Sequence, residues 1–572
     1  MEAENPLLRI ENLSISFQEG RELRPVLKSL SLSIQPGECS ALVGESGSGK
    51  SVTALSILRL LSSPPAIYTQ GSIYWSPEGQ SAQDVLQWSP KELLAFRGKQ
   101  VAMIFQEPMS SLNPLMKCGE QVKEALRIHR KLEGEALNQE ALRWIEEVKL
   151  PRAKTLLQAY PHQLSGGQKQ RVMIAMAMCG QPRLLIADEP TTALDVTVQH
   201  SILSLMQQLQ QTYGMALLLI SHDLGVVREV AQHMTVLYQG EKMEEGETEQ
   251  VLKHPQSPYT QALLASRPRA GWTPTRIPTV SEVMKGMYTP DSGIYRQRSS
   301  VERKEQAEAV HTGTPVLVAN EVTVKYSSRS GNSTLLTAVD RVSLEIYPDE
   351  VVGLVGESGS GKSTLCRALI GLQPIAEGSV VWEGKKLNEM SESQIRPLRS
   401  QFQLIFQDPY SALNPRLTVR QMLMEPIQVH FPSLSSKERK ERVEDLLLQT
   451  GMDPVQHGDR YPHEFSGGQR QRIVIARALS VRPKFLICDE SVSALDVSVQ
   501  AQILNLLNDL KAQYRFAILF ISHDLEVVRY MSDRILVMHQ GKLVESGWSD
   551  EIYANPQHPY TQELLHALPV WA

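Results

Sequence analysis

The sequence predicts an α/β chain made of two tandem copies of one fold, and three observations lead there. The octapeptide GESGSGKS stands at Gly44–Ser51 and again at Gly356–Ser363. Each copy is preceded by an apolar run, ECSALVG or EVVGLVG, and followed by a helix-patterned run, SVTALSILRLL or STLCRALIGL. Each copy is later joined by a second apolar run ending in two adjacent acids, LLIADE at Leu184–Glu189 and FLICDE at Phe485–Glu490. Apolar runs of this length read as buried strands, so the unit is strand, glycine-rich loop, helix, and further on another buried strand.

A chain of 572 residues exceeds what one core supports. It is 42% hydrophobic and 21% charged, an ordinary globular composition. The 58 Lys and Arg against 63 Asp and Glu leave no polybasic footprint, so direct nucleic-acid binding is not expected. Cys39, Cys118, Cys179, Cys366 and Cys488 lie far apart, which argues against a disulfide framework or a zinc site and for free thiols. No apolar run reaches the roughly 18 residues of a membrane span, and the acidic start MEAENPLLRIENLS lacks a signal-peptide pattern. A soluble chain is expected, with any membrane role coming through a partner.

The duplication is legible in the spacing. Lys50 and Lys362 are 312 apart, whereas Gln106/Gln407, Ser165/Ser466, Asp188/Asp489 and His222/His523 are each 301 apart. The first copy therefore holds about eleven extra residues between Lys50 and Gln106, and the polar, Gly- and Pro-containing SPEGQSAQDVLQW is read as that excess, a surface hairpin or loop. Periodicity is lost in RPRAGWTPTRIP and YRQRSSVERKEQAEAVHTGTP. Domains are accordingly expected at 1–266 and 315–572, joined by a linker at 267–314.

In G-x-x-x-x-G-K-[ST] the glycines let successive backbone N–H groups turn inward as an anion nest. The helix start adds its partial positive charge. The first nest comprises Gly44, Glu45, Ser46, Gly47, Ser48, Gly49, Lys50 and Ser51, with Val52 entering the helix. The second comprises Gly356, Glu357, Ser358, Gly359, Ser360, Gly361, Lys362 and Ser363, with Thr364 following. Lys50 and Lys362 are suited to reach the β/γ-phosphates of a nucleotide, and Ser51 and Ser363 to ligate Mg²⁺. Strand alternation sends adjacent side chains to opposite sides. Asp188 and Asp489 then suit a Mg²⁺ shell, and Glu189 and Glu490 the polarising of an attacking water.

Between loop and acids stand LSGGQ (Leu164–Gln168) and FSGGQ (Phe465–Gln469), and with them the chain resembles the ATP-binding-cassette family over both repeats nearly end to end. The resemblance implies a P-loop NTPase fold in each repeat: a RecA-like α/β core, an antiparallel β subdomain and an α-helical signature subdomain. It implies ATP and Mg²⁺ as cofactors. It makes Ser165, Gly166, Gly167 and Gln168, and Ser466, Gly467, Gly468 and Gln469, the signature residues. Gln106 in IFQEP and Gln407 in IFQDP match the Q-loop, which touches nucleotide and metal. Asp195 and Asp496 in ALD match the D-loop, His222 and His523 in SHD the switch histidine, and Phe17 and Tyr326 the aromatic that stacks on adenine. Catalysis falls to Glu189, His222, Glu490 and His523. His162 and His463 read as structural.

In the family two cassettes pack head to tail, so Gly44–Ser51 is expected to face Ser466–Gln469, and Gly356–Ser363 to face Ser165–Gln168. Both sites read as complete. Pro190 against Ser491, and TTALD against SVSALD, are departures that would make two hydrolysis rates unequal.

FQEPMSSLNPLMKCGEQVKEAL, FQDPYSALNPRLTVRQML, ALDVTVQ and ALDVSVQ further resemble the bacterial di/oligopeptide, glutathione and nickel importer branch. That resemblance implies two integral-membrane permease partners, an extracytoplasmic solute-binding protein, and a peripheral place on the cytoplasmic face of the inner membrane. Docking is expected on 107–163 and 408–464. No cysteine cluster follows either repeat, so no iron–sulfur centre is expected. The competing class, a soluble ATPase working on ribosomes or DNA, usually has a long basic linker or zinc-type cysteine pairs. The repeated PYTQ, at Pro258–Gln261 and Pro559–Gln562, receives no role from the residues alone.

Overall fold

The computed structural model describes residues 6–77, 81–106, 111–192, 194–269, 271–289, 293–311, 313–327, 335–493 and 495–566. The chain divides into two compact units, Met1–Leu264 and Ala265–Val570, and each builds the same three parts.

The first part is an antiparallel sheet. In the first unit its order is Glu22–Ile34, Leu8–Glu19, Ala66–Trp75, Gln83–Asp84, and in the second Leu335–Ile346, Leu317–Ser327, Glu377–Trp382, Lys385–Lys386. One face is buried: Leu30, Leu32 and Ile34 point into the core while Ser33 between them is exposed.

The second part is a six-stranded sheet that carries the chemistry. Its order in the first unit is Glu241–Glu247, His233–Tyr238, Cys39–Gly44, Ala216–Ser221, Leu184–Asp188, Val101–Ile104, and only the first pair is antiparallel. The second unit repeats it with Lys542–Trp548, Arg534–His539, Val351–Val355, Ala517–Ile521, Phe485–Asp489, Phe402–Ile405. The strands that carry the loop and the acids are buried throughout, which is why they read as unbroken apolar runs. Parallel strands end on one edge. The glycine loop after Gly44, the acids at Asp188–Glu189 and the histidine after Ser221 therefore leave the sheet together, as a crevice at the strands' carboxyl ends requires.

The third part is helical: Cys118–Arg130, Gly134–Glu147 and Gly166–Met178 in the first unit, and Val419–His430, Ser436–Gln449 and Gly467–Leu479 in the second. Val122, Leu126, Ala141, Trp144, Ile145, Val172 and Ile174 are fully buried among the first three.

The eleven extra residues are not one insertion. Trp75 pairs with Leu8 and Trp382 with Leu317, so the two tryptophans are equivalent. Lys50 to Trp75 covers 25 positions and Lys362 to Trp382 covers 20, and most of that excess lengthens the start of the strand itself, Ala66–Trp75 having 10 residues against 6 in Glu377–Trp382. From Trp75 to the helix cap Ser89 is 14 positions, and from Trp382 to the equivalent cap Ser391 is 9, so another part lies after the strand. Both sites are strand ends, where added length leaves the ladder intact. Residues 78–80 of the expected hairpin lie outside the described residues.

The segment read as a linker carries the helices Val280–Met284 and Ser300–Val310, each opened by a capping box, and it packs on the second unit. Ile277 is fully buried in that unit's core, its N–H donating to Asn505 Oδ1 at 3.1 Å and its carbonyl accepting from Asn505 Nδ2 at 2.7 Å. Arg303, only 8% exposed, donates to Asp550 at 3.1 Å and to the carbonyls of Arg529 and Ser532 at 2.6 and 3.1 Å. Those carbonyls belong to the C-terminal end of the helix Leu525–Met531, where unpaired acceptors and the helix dipole favour a cation. These partners lie more than 200 positions away in sequence, so composition alone reads the segment as a tether. Arg303→Ala is expected to destabilise the second unit by about 2 kcal/mol. Calorimetry should show its transition lowered with that of the first unit unchanged.

Candidate functional site

Each glycine loop folds back on its own lysine. Lys50 Nζ donates to the carbonyls of Gly44 and Glu45 at 2.7 and 2.9 Å, and Lys362 Nζ to those of Gly356 and Glu357 at 2.6 and 2.8 Å. Both lysines are nearly buried, at 5% and 6% exposure. The helices Lys50–Ile57 and Lys362–Leu369 start directly from glycines at φ 104° and 102°, a left-handed conformation that disfavours any side chain. Ser48 Oγ and Ser360 Oγ are buried in the loops with no hydrogen-bond partner among the described residues. Ser46, Gly47, Ser358 and Gly359 form the exposed tips of the loops. Val52 and Thr364 lie in the first helical turn.

The acids, at the end of the strand two places along the same sheet, are turned apart by more than strand alternation. Asp188 and Asp489 close their strands, while Glu189 and Glu490 both take φ 47°, a left-handed backbone that non-glycine residues rarely adopt. Glu189 then gathers three partners. Gln106 Nε2 donates to it at 2.9 Å, Thr192 Oγ1 donates at 3.0 Å, and His222 Nδ1 lies 3.2 Å away. In the second unit Gln407 Nε2 donates to Glu490 at 2.7 Å and His523 Nδ1 lies at 3.8 Å. Ser493, in the position of Thr192, donates instead to the backbone carbonyl of Glu490 at 2.9 Å. The two glutamates are thus held by unlike sets of donors.

Electrostatics separates the neighbours. Burial pushes the Asp188 and Asp489 carboxyls up, and the adjacent glutamates add to this against the relief from Ser51 or Ser363 and the loop lysine. Burial would raise Glu189 too, but the hydrogen bond and charge of His222, with Lys50 and Thr192, outweigh it and bring the group down to about 2. The His523 hydrogen bond lowers Glu490 against its burial. Asp188 Oδ1 is buried with no hydrogen-bond partner among the described residues, and Ser363 Oγ donates to Asp489 Oδ1 at 3.2 Å. These hard oxygen donors fit Mg²⁺.

The signature residues open helices. Ser165 and Ser466 are exposed caps whose hydroxyls accept from the N–H groups of Gln168 and Gln469 at 3.3 and 3.4 Å, while the glutamine side chains accept from the serine N–H groups at 3.1 Å. Gly166 and Gly467 are exposed beside the caps. Gly167 and Gly468 are glycine for a packing reason: a Cβ there would lie 2.5 Å from Val198 and 2.3 Å from Val499. Asp195 and Asp496 cap the next long helices, Val196–Tyr213 and Val497–Tyr514. Ala193, Ala494 and residues 107–110 of the quoted motifs lie outside the described residues. Phe17 packs on the core and lines a cavity of about 660 Å³ with Arg24, Val26, Gly47 and Gln239. Tyr326 is exposed, its hydroxyl 3.5 Å from Thr364 Oγ1. His162 and His463 stack on Tyr160 and Tyr461.

Two contributors escaped the sequence reading. Thr192, three positions beyond Glu189, differs from Ser493 only by a methyl group, and nothing local announces which oxygen it will reach. Tyr560, in the repeated PYTQ, accepts from the Glu357 N–H at 2.9 Å. The five cysteines are buried, and burial pushes Cys39, Cys179 and Cys488 up to about 12.

Because Glu189 lies below its ordinary 4.5, its ionised form stabilises the fold above that value, and the contribution is lost as pH falls toward about 2. The stability advantage of wild type over Glu189→Gln, read from urea midpoints, is expected to be constant above about pH 5 and to shrink on acidification. A difference that stays flat from pH 6 down to about pH 2.5 would show that the carboxylate is not held low.

A family profile described as "ABC transporter" matches residues 27–192 and 339–493. Another, described as "Oligopeptide/dipeptide transporter, C-terminal region", matches residues 243–287 and 544–572. The chain is 45% identical to the glutathione import ATP-binding protein GsiA of Shigella dysenteriae serotype 1 (strain Sd197), over 99% of this chain and 90% of that one. The protein of the same name from Escherichia coli (strain K12) matches with the same identity and coverage. A solved dimeric structure of the ATP-binding cassette MJ0796, in a post-hydrolysis state bound to ADP and Pi, is 27% identical over 41% of this chain and 98% of that chain, with a TM-score of 0.38. Two loop-and-acid centres in one chain, each inside an ABC transporter match, make this an ATP-binding, ATP-hydrolysing protein that belongs to the ATP-binding cassette transporter family.

Proposed function

We propose that the chain is the ATPase subunit that powers import of a peptide-like solute, such as a di- or oligopeptide or glutathione, through a partner membrane permease. The observation that carries this reading is the oligopeptide/dipeptide transporter region that follows each of the two complete ATPase centres. The name of the 45% identical relatives, glutathione import ATP-binding protein, supports it.

The loop N–H groups with Lys50 and Lys362 bind the phosphates, and Phe17 and Tyr326 stack on the adenine. Ser51, Gln106 and Asp188, and Ser363, Gln407 and Asp489, would hold Mg²⁺, whose charge offsets that on the phosphoryl oxygens. Glu189 and Glu490 orient the attacking water. A carboxylate held at about 2 is a weak proton acceptor. Its work is therefore positioning, which suits a loose phosphoryl-transfer transition state. His222 and His523 hold those carboxylates and sense the γ-phosphate.

The exposed helix N-termini at both signatures suit capping a phosphate. The unlike donors on Glu189 and Glu490 support unequal rates at the two sites.

The chain docks on two permease subunits at the cytoplasmic face of the inner membrane, and an extracytoplasmic binding protein supplies the solute. Among the described residues no helix is long and apolar enough to cross a membrane. A groove of about 270 Å³ lined by Phe406, Ala412, Pro426, His430 and Arg477 supports docking near 408–464.

Glu189→Gln with Glu490→Gln is expected to lower kcat by at least 100-fold, the scale of a lost positioned catalytic group, and to accumulate an ATP-bound chain in rapid-filtration assays. Normal turnover would remove these residues from the mechanism. Affinity purification from membranes should recover two polytopic proteins, and recovery of ribosomes instead would overturn the import reading.

A further inference from the structure

The PYTQ segment recurs in both repeats, lies far from the loop, acid and signature motifs in sequence, and has no part in the chemistry described above. In the second unit it opens the helix Pro559–His566. Glu545 fixes the entry to that helix by accepting from the N–H groups of Gln557 and His558 at 2.7 and 3.0 Å. Tyr560 is 7% exposed, and its ring lies 3.9 Å from that of His539, at the end of the strand Arg534–His539. From there its hydroxyl oxygen accepts from the N–H of Glu357 at 2.9 Å.

That N–H belongs to the peptide unit Gly356–Glu357, whose carbonyl, Gly356 O, accepts from Lys362 Nζ at 2.6 Å. One peptide unit thus bridges the Tyr560 hydroxyl and the lysine ammonium. The same unit is pressed on the neighbouring strand: a Cβ on Gly356 would lie 2.1 Å from Met538 O, one residue before the histidine under Tyr560. Strand, tyrosine and loop form one packed contact.

We propose that Tyr560 is a positioning residue for the nucleotide loop of the second unit, fixing the plane of the Gly356–Glu357 peptide and, through it, the resting place of Lys362. The hydroxyl satisfies an N–H at the base of the loop and leaves the N–H groups nearer Lys362 for phosphate. Without it the N–H side of that peptide loses this partner while Lys362 and packing still hold the rest, so nucleotide binding must order the loop further. The loss falls on ATP binding in the ground and transition states alike, which raises KM with little change in kcat. In the first unit the equivalent Tyr259 is fully buried with its ring 4.3 Å from that of Tyr238.

The test is Tyr560→Phe in the full chain, with MgATP as the probe. Calorimetric titration in the Lys50→Ala background, where the second loop dominates binding, should give an affinity about 5- to 10-fold weaker, the worth of one buried hydrogen bond. With Lys50 intact, KM for ATP should rise and kcat stay within about twofold. Thr561→Val alters the same helix one position on, at a residue 2% exposed. It should leave ATP affinity unchanged. Wild-type affinity in Tyr560→Phe, an equal loss in Thr561→Val, or a fall in kcat without a change in KM would each overturn the proposal. Should Tyr560→Phe not fold, residue-resolved hydrogen exchange on the wild-type chain decides instead. The Glu357 amide should exchange slowly without nucleotide, and fast exchange there would refute the positioning role.

Discussion

The close approach of the glycine loop to the strand beside it is the contact on which the rest of each unit depends. At Gly44 a Cβ would meet Leu237 O at 2.2 Å, and at Gly356 the Met538 carbonyl at 2.1 Å, so no other residue fits without moving backbone. Pressed this closely, the chain turns sharply, and the lysine at the helix start returns to carbonyls of its own loop. The parallel sheet then brings the acids and the histidine out at the same edge. The loop, the acids and the histidine are placed together by one sheet edge and one steric limit.

Within that crevice adjacent carboxylates are driven in opposite directions. The aspartate is raised by burial, and the glutamate is lowered, against its own burial, by its histidine. Their separation depends on the left-handed backbone at Glu189 and Glu490, a local strain that the surrounding sheet must sustain. The duplication keeps this arrangement but not its details. Thr192 reaches the carboxylate of Glu189, whereas Ser493 turns to the backbone of Glu490. Two sites with the same motifs therefore differ in how firmly the glutamate is held.

The second unit has a further element that the motifs do not mention. The segment that follows the first cassette packs through Ile277, Arg276 and Arg303 on the second, and Arg303 caps the helix that starts just after His523. The end of the chain, through Tyr560, touches the loop at the opposite end of the same unit's sequence. Segments outside the motifs thus reach the helix after His523 and the base of the glycine loop.

The sequence by itself determined the duplication, the strand-loop-helix units and the motif residues, because each rests on local pattern: glycine spacing, apolar runs and capping residues. It also paired the motif residues of the two repeats in the same order, from Lys50 and Lys362 to His222 and His523. Only the tertiary structure decided that the extra residues of the first repeat are shared between two strand ends, that 267–314 is packed rather than free, and that Tyr560 belongs to the loop. Each depends on groups brought together from distant positions: Trp75 with Leu8, Arg303 with Asp550, Tyr560 with Glu357. The hydroxyl of Thr192 and that of Ser493 follow the same rule. A hydrogen bond forms where folded geometry puts an acceptor, and a one-dimensional pattern carries no record of that direction.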